Sequence, residues 1–469
     1  MLKQVFSSLS RIVLVVIFLG GLFLASVNSL SVVNAAGTTD TKGTIIYVDQ
    51  DATGSEDGTS WVNAFTDLQD ALQAAVAPQQ IWVAGGLYKP TSTTDRTIFF
   101  DIKSGVHLFG GFAGNETDLD QRVATNPTSI LSGDLLGNDD VDLLGVRRSF
   151  ASGLDDPKTI DNSFHVVACK GITSITNLDG FTITAGHAND ESGIHGSGGG
   201  IIIYECGQNL RMSNIQFIGN SAYNGGAIYN QGSSPMMMNL TIHKNHAFTS
   251  GGGIFNATNS NPTIRETSIR GNLAVYGGGI YNYMNSITIA NSLFSGNVAT
   301  QAGGAVYNYF SPGEYVNVTI AGNFSGLPDS GGGTYNLGTA AKVKFVNSIL
   351  YGNLPTQYTN AEAVMSVSYS AIQGGYSGVG NISSDPLFIN PITAQNTAST
   401  GGDFHLSPFS PCVDTGFNDA VQIPILYRYD LDGNQRIFDG DRDGVGTVDM
   451  GAYEIQQAGS KVFLPLLTK

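Results

Sequence analysis

Apolar and polar positions recur along the middle of this chain with a period of about 26 residues. Each repeat opens on a glycine pair and holds short apolar segments separated by turns. The spacings between the leading glycines are 26, 26, 26 and 28 residues. A fixed period of this length is typical of a solenoid, in which each repeat buries its apolar side chains only against its neighbours. The leading glycines are Gly225, Gly251, Gly277, Gly303 and Gly331, and a less regular copy opens at Gly198.

Aligned repeats place apolar residues in two columns. The segments are short, β-branched and bounded by Gly, Asn or Pro, which indicates strands and not helices. We expect three short strands in each coil, with equivalent side chains stacked ~4.8 Å apart in one shared core. One column holds Ile201, Ile228, Ile254, Ile280 and Val306, with Thr334 breaking it, and the other holds Phe217, Ile242, Ile269, Phe294, Ile320 and Leu350.

Asparagine forms two further columns at the turns. Asparagine tolerates left-handed backbone geometry, and its amide can bond the same residue in the next coil. We therefore predict a structural role for both columns and not a catalytic one. The first holds Asn220, Asn245, Asn272, Asn297, Asn323 and Asn353, and the second holds Asn214, Asn239, Asn291, Asn317 and Asn347, with Glu266 as the exception.

The repeat motifs carry a family resemblance. GGAIYN (225–230) and GGAVYN (303–308), paired with FIGN (217–220) and FSGN (294–297), resemble the polymorphic outer membrane protein repeat. More broadly, the chain looks like the right-handed β-helix proteins of the pectate-lyase-like superfamily from about Tyr47 to Glu454. The resemblance implies an all-β fold, a single-stranded right-handed parallel β-helix. Its implied location is secreted or at the cell surface, in association with the outer membrane.

The two ends differ from the repeats. Phe65, Leu68, Leu72 and Ala75 predict a short helical cap, begun by Ser60 or Asn63, before a strand at 81–88. The segments at 410–416, 430–437 and 448–454 resemble the terminal module called choice-of-anchor Q. The predicted divisions are a signal peptide at 1–35, the N-terminal cap and first coils at 44–135, the β-helix at 136–402 with regular coils from 198 to 353, a C-terminal capping module at 403–456 and a tail at 457–469.

The first residues read as a secretory signal. Lys3 and Arg11 precede an apolar stretch, and Val33-Asn34-Ala35 offers a small-residue cleavage site. An uncleaved anchor is the alternative, but the stretch is shorter than the ~20 residues that span a bilayer. We therefore expect no membrane span after cleavage, and a monomer.

The net charge of the chain disfavours two classes of binding partner. The formal net charge of −16 disfavours binding to nucleic acid and to anionic lipid. The three cysteines are too few for a disulfide scaffold, and a Cys169–Cys206 bridge has no spacing rule in its support.

A calcium loop is the most specific ligand motif. Asp439, Asp441 and Asp443 alternate before Gly444, as at the start of an EF-hand-type loop. Met450 stands where that loop needs an acid, so Asp449 is the candidate substitute. A solvated Asp/Gly turn is the competing interpretation. Asp430, Asp432 and Asn434 form a second, partial candidate.

An aromatic column is the candidate glycan contact. Each member follows the inward column position, which is aliphatic except at Thr334, so alternation points the aromatic ring outward. Stacking on sugar rings is one hypothesis, and self-stacking that stiffens the coil is the favoured one. The column holds Tyr229, Phe255, Tyr281, Tyr307 and Tyr335.

Catalysis has weaker support. Polysaccharide lyases and glycoside hydrolases use the resembled fold, and a hydrolase needs converging carboxylates. The acids between Asp118 and Asp140 are the candidate site, with Asp120, Arg122 and Asp134 as its weak catalytic candidates. We predict a non-enzymatic, adhesive or structural protein that contacts polysaccharide, a cell-surface glycan or a surface protein. A carbohydrate-active enzyme is the alternative.

Overall fold

A computed structural model describes residues 43–122, 128–143, 145–147, 153–191, 193–422 and 428–456. They fall within one of two units of the chain, Gly43–Lys469, and the other unit is Met1–Lys42. The predicted signal peptide at 1–35 and the predicted tail at 457–469 lie outside the described residues. No helix among the residues described is long and apolar enough to cross a membrane.

Most described strands form four parallel sheets, named A to D, and strands are numbered in chain order. Sheet A contains β1 (Ile45–Val48), β2 (Gln80–Ala84), β5 (His107–Phe112), β8 (Thr176–Asp179), β12 (Leu210–Ser213), β16 (Met236–Met238), β20 (Thr263–Arg265), β24 (Ile287–Ala290), β28 (Gly313–Val316), β32 (Lys342–Val346) and β35 (Val364–Ser368). Sheet B contains β3 (Gly86–Tyr88), β6 (Ser129–Ser132), β9 (Phe181–Thr184), β13 (Gln216–Ile218), β17 (Thr241–His243), β21 (Ser268–Arg270), β25 (Leu293–Ser295), β29 (Thr319–Ala321), β33 (Ile349–Tyr351) and β36 (Ala371–Ile372).

Sheets C and D complete the coil. Sheet C contains β4 (Phe100–Ile102), β7 (Val167–Lys170), β11 (Ile201–Gly207), β15 (Ile228–Ser233), β19 (Ile254–Asn256), β23 (Ile280–Tyr283), β27 (Val306–Tyr309), β31 (Thr334–Leu337) and β34 (Tyr358–Ala361). Sheet D contains β10 (His187–Ala188), β14 (Ser221–Asn224), β18 (His246–Ser250), β22 (Leu273–Tyr276), β26 (Val298–Ala302) and β30 (Phe324–Ser325). The remaining elements are the antiparallel pair β37 (Phe388–Asn390) and β38 (Asp403–Leu406), helices α1 (Leu68–Ala74) and α2 (Asp419–Gln422), and the 3-10 helices η1 (Leu119–Gln121) and η2 (Gly193–Gly196).

Each regular coil passes through sheets C, A, B and D in turn, as β15 to β18 do. The parallel β-helix is therefore confirmed, but the expectation of three strands in each coil is wrong. The fourth strand lies between the turn asparagine and the next glycine pair, where β18 pairs with β14 and β22. Its side chains belong to neither apolar column, so the column pattern gave no sign of it.

The two apolar columns are confirmed as one core. Ile228 pairs in register with Ile254, and Ile242 pairs with Ile269. All four side chains are fully buried and belong to one continuous hydrophobic cluster. Stacking therefore gives each coil an interior that a single repeat could not make alone.

The asparagines are structural, as predicted. In the first column, the Asn272 Nδ2 donates to Asn297 Oδ1 at 2.9 Å, and the same contact recurs from coil to coil. A third buried column escaped the sequence analysis, although its residues end the GGAIYN-type motifs. Each member except the last donates from Nδ2 to the Oδ1 of the next at 2.8–3.2 Å. Its members are Asn230, Asn256, Asn282, Asn308, Asn336 and Asn360.

The glycine pairs bring successive coils into close contact. A Cβ atom on Gly278, the second glycine of its pair, would lie 2.5 Å from the main-chain oxygen of Gly304 in the next coil. Gly277, the first glycine, has a φ of +62°, which favours glycine. The pair therefore meets a steric requirement and a conformational one.

The N-terminal helix caps the first coils with Leu68 and Leu72 buried, as the pattern indicated. Its N-cap prediction is wrong. Asp67 is the N-cap residue, and its side chain accepts a hydrogen bond from the Gln69 N–H at 2.8 Å. The Ser60 hydroxyl instead accepts from the Asn63 N–H in the preceding turn.

The C-terminal module, defined here as residues 403–422 and 428–456, packs along part of the outer face of sheet B. Phe404 and Ala452 of the module form a buried cluster with Leu293 of β25 and Ala321 of β29. The Gly451 N–H donates to the main-chain oxygen of Asn347 at 2.7 Å. Leu293 and Ala321, two outward positions of sheet B, are therefore covered by the module.

Candidate functional site

The predicted aromatic column forms a ladder on the outer face of sheet C. Its rings lie in register on β15, β19, β23, β27 and β31. Consecutive centroids are 5.4, 5.1, 4.9 and 5.0 Å apart, and every pair is stacked. Each ring therefore covers a face of its neighbour, which is the self-stacking arrangement. The ladder comprises Tyr229, Phe255, Tyr281, Tyr307 and Tyr335.

Further aromatic rings flank this ladder. Tyr283 and Tyr309 stack at 5.2 Å, two residues further along the same strands. Tyr276 packs edge-on against Tyr307 at 5.6 Å. Burial raises the pKa of Tyr281 and of Tyr307, so their hydroxyl groups stay protonated at neutral pH. A ligand at this surface would meet ring edges and hydroxyl donors, because neighbouring rings cover the inner faces. The glycan contact of this column stays a prediction.

The C-terminal module brings three carboxylates together. Oxygen atoms of Asp414, Asp439 and Asp441 lie within 4.8 Å of one another, and no other group of three metal-ligating side chains reaches that spacing in the part of the chain described. Burial, together with the charges of Asp441 and Asp439, raises the pKa of Asp414. Carboxylate oxygens are ligands that Ca²⁺ prefers. The group could hold a metal ion.

The other two predicted calcium ligands lie next to this acidic triad. Asp443 is exposed, and its N–H donates to Asp439 Oδ1 at 3.1 Å and to Asp441 Oδ1 at 3.0 Å. Asp449 is buried and accepts from the N–H groups of Asp414 and Ile455, each at 2.8 Å. Burial and the charge of Glu454 raise the pKa of Asp449. Asp449 therefore supports the turn that carries Asp414.

Asp430 and Asp432, from the second partial candidate, have separate partners. Asp430 is buried, and its Oδ1 accepts from the N–H groups of Asp432 and Asn434 at 3.0 and 2.7 Å. Asp432 instead contacts His405, whose Nε2 lies 2.7 Å from its Oδ2. The His405 Nδ1 lies 2.5 Å from Asp403 Oδ1. The hydrogen bonds to Asp432 and to Asp403 raise the pKa of His405 to about 9.

Arg122, one of the catalytic candidates, holds its loop against the coils. Its guanidinium pairs with Asp179, the last residue of β8. Its Nη1 donates to the main-chain oxygen of Gly110 at 2.7 Å, and its Cζ lies 5.3 Å from the centroid of the Phe109 ring. The guanidinium of Arg122 is therefore occupied by an ion pair, a main-chain hydrogen bond and an aromatic ring.

Asp134 and Asp120 have different surroundings. Asp134 is buried, and its Oδ1 accepts from the N–H groups of Gly137 and Asn138 at 2.7 and 3.1 Å. Asp120 is exposed in η1, and its own N–H donates to Asp118 Oδ1 at 3.1 Å. These contacts stabilise the turns that carry the two acids.

A cleft of about 600 Å³ lies near the last coils, between residues 352–358 and 373–375, and Thr393 closes one side. Gln357 Nε2 donates to Gln373 Oε1 at 2.9 Å within it. The described residues that line the cleft include no charged side chain.

Comparisons with known proteins find a repeat match in this chain and similar solved structures. Residues 214–231 and 291–309 match the Chlamydia polymorphic membrane protein (Chlamydia_PMP) repeat. The crystal structure of pectate lyase Pel9A is similar with a TM-score of 0.42 and 12% identity, covering 87% of this chain and 96% of that chain. The complex structure of XylC with xylose has a TM-score of 0.30 and 11% identity, covering 88% of this chain and 99% of the other. No curated protein matches the sequence. The four stacked sheets and the matched segments identify the chain as a parallel β-helix protein that carries polymorphic membrane protein repeats.

Proposed function

We propose that this protein is a secreted or cell-surface scaffold with an adhesive or structural role. The single observation that carries the proposal is the unbroken aromatic ladder on sheet C, backed by asparagine columns inside the coils. Stacked rings and coil-to-coil amide bonds stiffen a solenoid along its length and present the same surface chemistry in every repeat. That arrangement suits repeated contacts with an extended partner.

The surface location draws its support from the repeat match. The matched repeat is named for a membrane protein of Chlamydia, and the expected signal peptide would direct this chain out of the cytoplasm. An adhesive role then needs a partner outside the cell. A polysaccharide or a cell-surface glycan is the partner that the hydroxyl-lined aromatic surface favours, and a surface protein is the alternative partner.

A glycan panel tests the contact. The full chain would be passed over immobilised neutral and acidic polysaccharides, and retention would be compared with that of Tyr281→Ala/Tyr307→Ala. We expect the double variant to lose retention, because it removes two central hydroxyls and opens the ladder. Gln373→Ala, in the cleft, is the control that separates the two surfaces. Unchanged retention of the double variant would remove the ladder from the proposal.

The same panel separates adhesion from catalysis. Assays for reducing sugars and for unsaturated products should show no turnover by the full chain. Arg122 supports the non-enzymatic interpretation, since a guanidinium committed to Asp179 and to Gly110 is not free to meet a substrate. Turnover that Asp134→Asn abolishes, with the fold intact, would establish the carbohydrate-active enzyme instead.

Calcium forms the second part of the proposal, with Asp414, Asp439 and Asp441 as its ligands. Three carboxylates held this closely repel one another, as the raised pKa of Asp414 reflects after its burial is counted. A divalent cation would remove the repulsion and fasten the loop at Asp439 to the turn at Asp414. The role is structural stabilisation of the C-terminal module.

Thermal unfolding tests calcium binding. Ca²⁺ at 100 times its Kd should stabilise the chain by about 2.7 kcal/mol, and a chelator should reverse the rise in Tm. Asp414→Asn should abolish the response to the chelator. Asp443→Asn is the matched control and should keep the response, because Asp443 lies outside the triad. A chelator-insensitive Tm of the unmodified chain would leave these carboxylates as turn residues.

A further inference from the structure

Two of the three cysteines lie together in the core. Cys169 is on β7 and Cys206 is on β11, the neighbouring strand of sheet C in the next coil. The Cys206 sulfur lies 3.1 Å from the main-chain oxygen of Cys169. Both side chains are fully buried in the main hydrophobic cluster. The third cysteine, Cys412, is buried separately in the cluster beneath the C-terminal module.

A local distortion of β11 produces this meeting. Ile201 and Ile203 face inward, so strict alternation would turn residue 205 inward and Cys206 outward. Glu205 instead has a φ of +55°, and the register with β15 shifts after Tyr204. A bulge of this kind re-aims the following side chain. It turns Glu205 to solvent and Cys206 into the core beside Cys169.

The electrostatics of the pair favour thiol chemistry. A hydrogen bond between the two thiols lowers the pKa of Cys206 to about 7 and raises that of Cys169. A fraction of Cys206 is therefore thiolate near neutral pH, and the thiolate is the species that attacks a disulfide.

We infer that Cys169 and Cys206 form a disulfide bond that joins two consecutive coils when the chain folds in an oxidising environment. The oxidant is a small or protein disulfide. The Cys206 thiolate attacks it, forming a mixed disulfide and releasing one thiolate. The Cys169 sulfur, as its proton leaves to solvent, then displaces the second thiolate and closes the bond. The two cysteines lose two electrons, and the oxidant is reduced to two thiols.

The bond would close the segment between β7 and β11. That segment includes η2 and the first strand of sheet D, and it precedes the regular coils. A crosslink here holds the least regular coils in the register on which the following repeats stack. The inference goes beyond the proposed function and does not require a glycan or a calcium ion.

Refolding tests the bond directly. The full chain would be refolded from denaturant in oxidised and reduced glutathione, then denatured again and alkylated without a reductant. We expect Cys412 to be alkylated completely, and Cys169 and Cys206 to appear as one linked peptide pair lighter by two hydrogen atoms. Alkylation of all three cysteines, or a linked pair that includes Cys412, would overturn the inference. Because refolding takes place in glutathione, the result is independent of where the cell places the protein.

Two variants exclude an incidental bond. The urea midpoint of the oxidised chain should fall when a reductant is added. Cys206→Ser should remove this dependence on the reductant and make Cys169 fully reactive to the alkylating agent in denaturant. Cys412→Ser is the matched control and should keep both the linked pair and the dependence. A midpoint that the reductant leaves unchanged in the linked chain would refute the stabilising role.

Discussion

The buried asparagine columns predict a difference between two substitutions of the same kind. Asn272→Ala and Asn282→Ala each remove an amide from a fully buried position, and the two positions lie in consecutive coils. Neither residue has a positive φ, so alanine adds no backbone strain at either position. The volume removed is identical. The number of hydrogen bonds that each amide makes is therefore what separates the two variants.

The Asn272 side chain makes four such bonds. Its Nδ2 donates to the main-chain oxygen of Ile242 and to Asn297 Oδ1, each at 2.9 Å. Its Oδ1 accepts from the N–H and from the Nδ2 of Asn245, each at 3.1 Å. The Asn282 side chain makes two, one to Asn308 Oδ1 at 2.8 Å and one from Asn256 Nδ2 at 3.0 Å.

A buried hydrogen bond contributes about 1 kcal/mol net, so we expect losses of about 4 kcal/mol for Asn272→Ala and about 2 kcal/mol for Asn282→Ala. Urea unfolding followed by far-ultraviolet circular dichroism measures both. The two losses can be compared only if the m-value is the same in both variants, because a solenoid can lose coils separately. Gln216→Ala, at an exposed position on β13, is the reference and should fall within about 0.5 kcal/mol of the unmodified chain. Equal losses for the two buried variants would refute the reasoning.

Three further predictions concern other parts of the fold. Asp432 and Asp403 raise the folded-state pKa of His405 to about 9, so the stability that His405 contributes is complete below its ordinary pKa of about 6.5 and is lost as the pH rises through about 9. Because both ion pairs are half-exposed, this contribution is limited to about 1 kcal/mol. His405→Gln should therefore flatten that part of a pH profile of Tm. Gly278→Ala should lower the free energy of unfolding by ~3 kcal/mol or prevent folding, because its Cβ would meet the next coil. Gly171→Ala is the control: a Cβ there meets open space and only the φ of +61° is unfavourable, so the loss in urea unfolding should be about 1–2 kcal/mol. Phe404→Ala should cost about 3–5 kcal/mol and speed limited proteolysis of the C-terminal module, and unchanged cleavage would contradict the packing on sheet B.

The fold was accessible from the sequence because its period fixed the register. Once Ile228 and Ile254 were aligned at 26 residues, their stacking followed without any further information. Sheet D was not accessible, since its side chains belong to neither of the two apolar columns that the repeats show. The Asn282 column had a visible signal in the repeated YN pair, but the preceding aromatic residue drew the interpretation toward the outer surface.

The candidate sites were less accessible, because they depend on contacts that are distant in sequence. The alternation of Asp439 and Asp441 is visible in the sequence, whereas Asp414 lies near them only in the folded module. Arg122 was named for the acids around it, and its ion pair with Asp179 could not be foreseen because Asp179 lies on β8, outside the Arg122 loop. The Cys169–Cys206 contact depends on a bulge at Glu205, and no rule of alternation predicts a reversal of side-chain direction.

The placement of the acidic triad links the proposed cation to the coils. Asp414 and Asp449 belong to the segments that carry Phe417 and Gly451, and both segments bond to Asn347 in the turn before β33. Asn347 is the last residue of the second asparagine column, so the module bonds to the solenoid at a position that repeats from coil to coil. Removing the cation should therefore loosen the module from sheet B before the coils unfold. Protection of amide hydrogens from exchange should accordingly fall first around Phe417, and coils before β21 should keep theirs.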